Sequence, residues 1–252
     1  MQDEPGGGSR QTFIFASHGE RPVASWAWQR LVWSKPLFGL LLLNLIWCAS
    51  FFIAPAILAP GTFAWPYSQY PLVAYHLGGA NQLNYEPIWQ TMWFYPRAVY
   101  AFGDIQCHEL WYRSLYVNGN QMPMCARMTS MYIFANFGLV AAAFAEPSTS
   151  ASRVMLNAMP RWVQKRLASL SPDRAGALIV VVGLLPVAID GFYQLFSDVT
   201  HYESTNLMRI LTGVPGGFVG GLLLGAMFIS IRQFQIDIAR LRSQMPRAPP
   251  GT

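Results

Sequence analysis

The chain has 252 residues, 53% of them hydrophobic, 14% aromatic and only 12% charged, with a net charge of +5. Soluble domains carry about 25% charged residues, so this composition excludes an ordinary soluble globule and points to lipid. Basic flanks of membrane loops account for the positive charge without a nucleic-acid partner.

Residues 1–35 read as a polar cytoplasmic arm that opens on a glycine-rich stretch, Gly6 to Ser9. At the end of the arm SWAWQRLVW, Ser25 to Trp33, sets three Trp beside Arg30, the pattern of a segment lying in the headgroup layer. From Leu37 to Leu58 the chain is apolar apart from Asn44 and Ser50, long enough to span a hydrocarbon core of roughly 30 Å. This run starts too late and is too long for a cleavable secretory signal.

Residues 59–124 follow as an outer segment, far longer than a connection requires and rich in Pro, Gly and aromatics. It suits either a compact cap or a loosely ordered lid. Within it Pro87 to Ile105 is aromatic but carries Arg97, Asp104 and Pro96, so it reads as interfacial or re-entrant. Three further apolar stretches, Cys125 to Ala145, Ala175 to Phe196 and Asn206 to Ile231, complete an all-α integral membrane fold of about four transmembrane helices.

The inner loop 146–174 contains PRWVQKRLASLSPDR, a short basic amphipathic helix suited to anchoring on the inner leaflet. After the last span, Arg232 to Met245 continues as a polar helix. The bundle thus occupies residues 36–232 and a cytoplasmic tail 233–252. With four spans and both termini inside, thirteen of the 17 Lys and Arg residues fall on the cytoplasmic side, which the positive-inside rule favours. The expectation is a multi-pass protein of the inner (plasma) membrane.

Cys107 and Cys125 both fall on the outer side, where an oxidising compartment favours a disulfide; its loop would contribute roughly 3 kcal/mol. A metal site is the rival. His108 follows Cys107, and Met122, Met124 and Met128 cluster with Cys125, a thiolate, thioether and imidazole set suited to copper(I) and less readily to zinc. Cys48, mid-span, reads as a small hydrophobe.

The other polar signals gather at the same level. Asp190 and Gln194 close the third span; Asp198, His201 and Glu203 lie in the short loop; Asn206 and Arg209 open the fourth span; Arg127 opens the second. Ionisable groups near a bilayer demand partners, and Asp190 with Arg127 or Arg209 is the expected pair. Such a cluster serves either a ligand or proton path or a clasp that fixes helix packing. Gly213, Gly217, Gly221 and Gly225 recur every four residues in the last span, a small-xxx-small row that admits another helix closely, from this chain or from a partner. No nucleotide loop and no catalytic triad is legible.

From about Tyr95 to Ser230 these motifs resemble a bacterial membrane family known as domain of unknown function 2085. The matching positions are Cys107 and His108, Arg113 and Ser114, Cys125 to Arg127 with Thr129, Asp190 with Gly191 and Gln194, and Ser204 to Asn206 with Arg209, Thr212 and Gly213. The resemblance adds Arg113 to the polar cluster. Met128 stands where the family pattern has a second cysteine, which removes a ligand from any metal set and shifts weight toward a disulfide or packing role.

Together these features imply a non-catalytic subunit or scaffold that docks onto other integral membrane proteins, in an electron-transfer or photosynthetic assembly. An outer-face metal or thiol-redox protein is the alternative. A small-solute transporter using Asp190, Glu203 and Arg209 is disfavoured, because the inner halves of the spans offer almost no polar path.

Overall fold

The computed structural model describes residues 23–64, 86–107, 110–196 and 201–244, and the fold is mostly helical. Helix α1, Val23–Val32, is amphipathic and lies across the start of the bundle, its Trp26 ring 5.5 Å from Phe144 and its Trp28 ring 5.4 Å from Phe38. Helix α2, Lys35–Ile57, begins with Pro36, whose missing N–H costs nothing in a first turn.

The aromatic stretch, expected to be interfacial or re-entrant, is not one continuous segment. It forms two short helices, α3, Glu86–Trp89, and α4, Phe94–Gln106. The 13 residues of α4 rise only about 20 Å, too short to cross. Instead α4 packs on the end of α2: Tyr100, fully buried, stacks 4.6 Å from Phe63 and donates its hydroxyl to the Gln121 carbonyl at 2.6 Å. The Trp89 indole N–H donates to the buried Asp104 carboxylate at 3.1 Å. Ala54, Leu58, Phe63, Trp89, Val99 and Leu110 close into one apolar cluster, so the described part of 59–124 is a compact cap.

An antiparallel hairpin corrects the all-α expectation. Strands β1, Ser114–Val117, and β2, Asn120–Cys125, are joined at Asn118 (φ 52) and Gly119 (φ 72), the left-handed pair that a tight two-residue turn requires. Asn120 knits this hairpin to α2: its side chain accepts from the Phe63 N–H at 3.0 Å and donates to the carbonyls of Pro55 at 3.0 Å and Ala59 at 3.1 Å.

Helix α5, Ala126–Phe144, follows β2 directly. The 146–174 loop holds two helices, α6, Ala151–Ala158, and α7, Arg161–Leu167, the second within the basic stretch expected to be helical. Helix α6 buries Val154 and Met155 in a cluster with Leu37, Ala142, Leu222 and Ile229. Helix α8, Pro172–Leu195, is capped by Ser171, and α9, Asn206–Gln244, runs 39 residues without a break.

Among the described residues three helices, α2, α8 and α9, are long and apolar enough to cross a membrane. The fourth expected span, α5, is a 19-residue helix carrying Arg127 and Asn136, packed between α2 and α9. The glycine row of α9 faces α5 of the same chain. A Cβ on Gly217 would collide with the Met131 main chain, and one on Gly221 with that of Ala135, so the two backbones touch. Gly138 of α5 reciprocates against Phe218 and Leu222.

Candidate functional site at the hairpin end of the bundle

Three elements deliver charge to one end of the bundle. Arg127 lies in the first turn of α5, Asp190 and Gln194 in the last turns of α8, and Arg209 in the first turn of α9, whose start is capped by Thr205 Oγ1 accepting from the Met208 N–H at 3.3 Å. Each of the three sits at the end of its helix where the macrodipole disfavours its sign, by about 0.3–1 kcal/mol. Pairing between helices offsets this. Arg127 bridges to Asp190, the partner expected for it, and donates to Gln194 Oε1 at 3.1 Å. Asp190 also accepts from Tyr202 at 2.8 Å, Ser204 at 3.1 Å and Thr212 at 3.4 Å. The bond to Asp190 raises the Tyr202 phenol above its ordinary range.

Arg209 does not take Asp190. Its guanidinium, 1% exposed, is bound by Glu203 and donates Nε to the Ser204 carbonyl at 2.8 Å. Glu203 also holds Arg113 through two bonds of 2.9 Å and accepts from Gln194 at 3.1 Å. Arg113 comes from the turn before β1, and Asn206 donates to the Ser114 carbonyl at 3.1 Å, so the hairpin is fastened to α9 as well. His201 is exposed, while His108 and Asp198 lie outside the described residues.

Beneath the cluster sits sulfur. Cys48, Cys107, Met122, Met124 and Cys125 are buried together, with Met128 against them. All three cysteines are in the thiol state, so the expected Cys107 to Cys125 disulfide is not formed. The two are nevertheless neighbours, because Cys107 caps the end of α4 while Cys125 caps the start of α5, and the Cys125 N–H donates to Cys107 Sγ at 3.3 Å. Among the described residues no three His, Cys, Asp or Glu side chains gather into a metal set. His108, the imidazole of the expected copper or zinc set, lies outside those residues.

The sequence did not single out Asn120, Tyr100 or the hairpin, although Asn118-Gly119 between SLYV and NQMPMC is a turn signal that could have revealed the strands. It also left the partner of Glu203 open.

Apolar helices of membrane length closed at one end by a buried ionic cluster define a multi-pass membrane protein. Residues 107–223 match the family described as "Predicted membrane protein (DUF2085)", the family that the motifs resemble. An uncharacterized protein of the archaeon Methanocaldococcus jannaschii is 28% identical over 120 residues, 48% of this chain and 62% of that relative. An uncharacterized protein of Methanothermobacter thermautotrophicus is 29% identical over 111 residues, 44% of this chain and 77% of the relative. The chain thus spans less than two thirds of the first relative's length. No solved structure matches the chain.

Proposed function

We propose that the chain is a non-catalytic subunit or scaffold of the inner membrane, with four spans, both termini in the cytoplasm, and a docking role toward other integral membrane proteins. The observation that carries this reading is the mutual pairing of the charges in the polar cluster. Asp190, Glu203, Arg113, Arg127 and Arg209 are each engaged by a group from another segment, so the charges fasten α5, α8, α9 and the hairpin to one another. Cross-linking of this kind holds the ends of the helices in register.

Counting α5 as the fourth span follows from its place between α2 and α9, where its polar atoms are shielded: Asn136 donates to the Tyr132 carbonyl at 3.1 Å and contacts Cys48 Sγ at 3.5 Å. An even number of spans puts the basic residues of the arm, the 146–174 loop and the tail on one side. The glycine row is spent inside the chain, so docking uses other faces. Extraction in mild detergent tests the reading: a stoichiometric complex with another membrane protein is expected, and a monodisperse lone chain overturns it.

A further inference from the structure

We propose that Cys107 and Cys125 form an exchangeable dithiol that closes to a disulfide when a small organic disulfide takes up its electrons. The inference is independent of the docking role. Its basis is position: Cys107 Sγ lies 3.3 Å from the Cys125 main-chain nitrogen, and both residues are 3% exposed within one buried cluster.

Charge favours Cys125 as the attacking sulfur. Among the described residues the cluster brings together three guanidiniums, Arg113, Arg127 and Arg209, and two carboxylates, Asp190 and Glu203. A thiolate at Cys125 supplies a third anion, and it stands at the N-terminus of the 19-residue α5, where the helix dipole favours negative charge. Cys107, at the C-terminal cap of α4, stands at the opposite pole of its helix.

The exchange balances in two displacements. The Cys125 thiolate, its proton already lost to solvent, attacks one sulfur of the incoming disulfide. That bond breaks, a mixed disulfide forms on Cys125, and the first leaving thiolate takes up a proton. Cys107 then gives up its proton, its sulfur attacks Cys125 Sγ, and the second thiolate leaves and is protonated. Two cysteines have lost two electrons and two protons, and the reagent has become two thiols. The new bond ties the end of α4 to the start of α5 and to the base of the hairpin, where Cys125 pairs with Ser114.

The test uses the full chain in mild detergent, with Cys48→Ser as background and dithiodipyridine, a small apolar disulfide, as the probe. The expected result is release of two thiopyridones per chain, a mass lower by two hydrogens and no adduct retained. Adding Cys107→Ser should trap the thiopyridyl group on Cys125. Adding Cys125→Ser should leave Cys107 reacting about tenfold more slowly, since it stands at the C-terminal cap of α4, where the helix dipole disfavours a thiolate. Adducts retained on both cysteines, equal rates in the two single-thiol variants, or release only after denaturation would each overturn the proposal. Should either variant fail to fold, peptide mapping of the Cys48→Ser chain before and after reduction still decides whether the probe left a bridge or two adducts.

Discussion

Two adjacent glycines of α9 make opposite predictions. A Cβ on Gly221 would stand 2.7 Å from both the carbon and the Cα of Ala135, main-chain atoms of α5 that no side-chain rotation can move aside. Restoring ordinary contact requires the helices to part by roughly 0.7 Å or more, and a gap of that size forfeits about a quarter to a half of the local dispersion energy. In lipid this packing is the main force between helices. Overpacking costs about 1–3 kcal/mol, partly offset by the roughly 1 kcal/mol that Ala gains over Gly in a helix. At Gly220 nothing lies within 4 Å, so only the helix gain operates. Gly221→Ala should therefore melt about 2–12 °C below Gly220→Ala in thermal denaturation followed in detergent, taking about 2–4 °C per kcal/mol for a chain of this size. Equal melting temperatures would show that the α5 to α9 contact is not the close backbone interface described.

Three further outcomes follow from other contacts. Asp190→Asn strips the counter-charge from Arg127 inside the bundle and should cost about 3–5 kcal/mol, and Glu203→Gln should cost about as much, because it leaves the Arg209 guanidinium, 1% exposed, without its carboxylate; detergent melting curves read both. Asn120→Ala removes one acceptor and two donations that hold β2 to α2, and a loss of about 2–3 kcal/mol is expected, with faster hydrogen exchange at Phe63 as the local signature. Tags at the two termini should report the same side of the membrane in a protease-protection assay, since α5 makes the number of spans even; opposite sides would reduce the spans to three.

The parts of this fold that sequence exposes are those whose environment is uniform. Helices α2, α8 and α9 announce themselves because each is apolar over a length that could cross a membrane. Helix α5 is weaker in the same terms because it carries Arg127 and Asn136, whose side chains donate to Gln194 of α8 and contact Cys48 of α2, a circumstance that hydropathy does not record. Strand β2 was missed for a related reason: all six of its residues are buried, so the alternation that betrays a half-exposed strand is absent, and Pro123 argues against a strand besides. The demand for partners correctly tied Asp190 to Arg127, since unpaired charge near lipid is costly, but it could not choose between two arginines within reach of one end. Nor could it fix the redox state of Cys107 and Cys125, because proximity along the chain and proximity of sulfurs leave the bond itself to chemistry.

The contact of α9 with α5 also limits how the bundle can move. Gly213, Gly217 and Gly221 present the same notch three times, one every four residues, or about 6 Å along the helix axis. A helix seated in such notches does not glide; it advances from one detent to the next, like a bolt along a rack. The grip of Glu203 on Arg209 and of Asn206 on the hairpin selects which detent is occupied. Release of those two holds would free α9 to change register by a whole step, and no smaller displacement would bring its backbone back into contact.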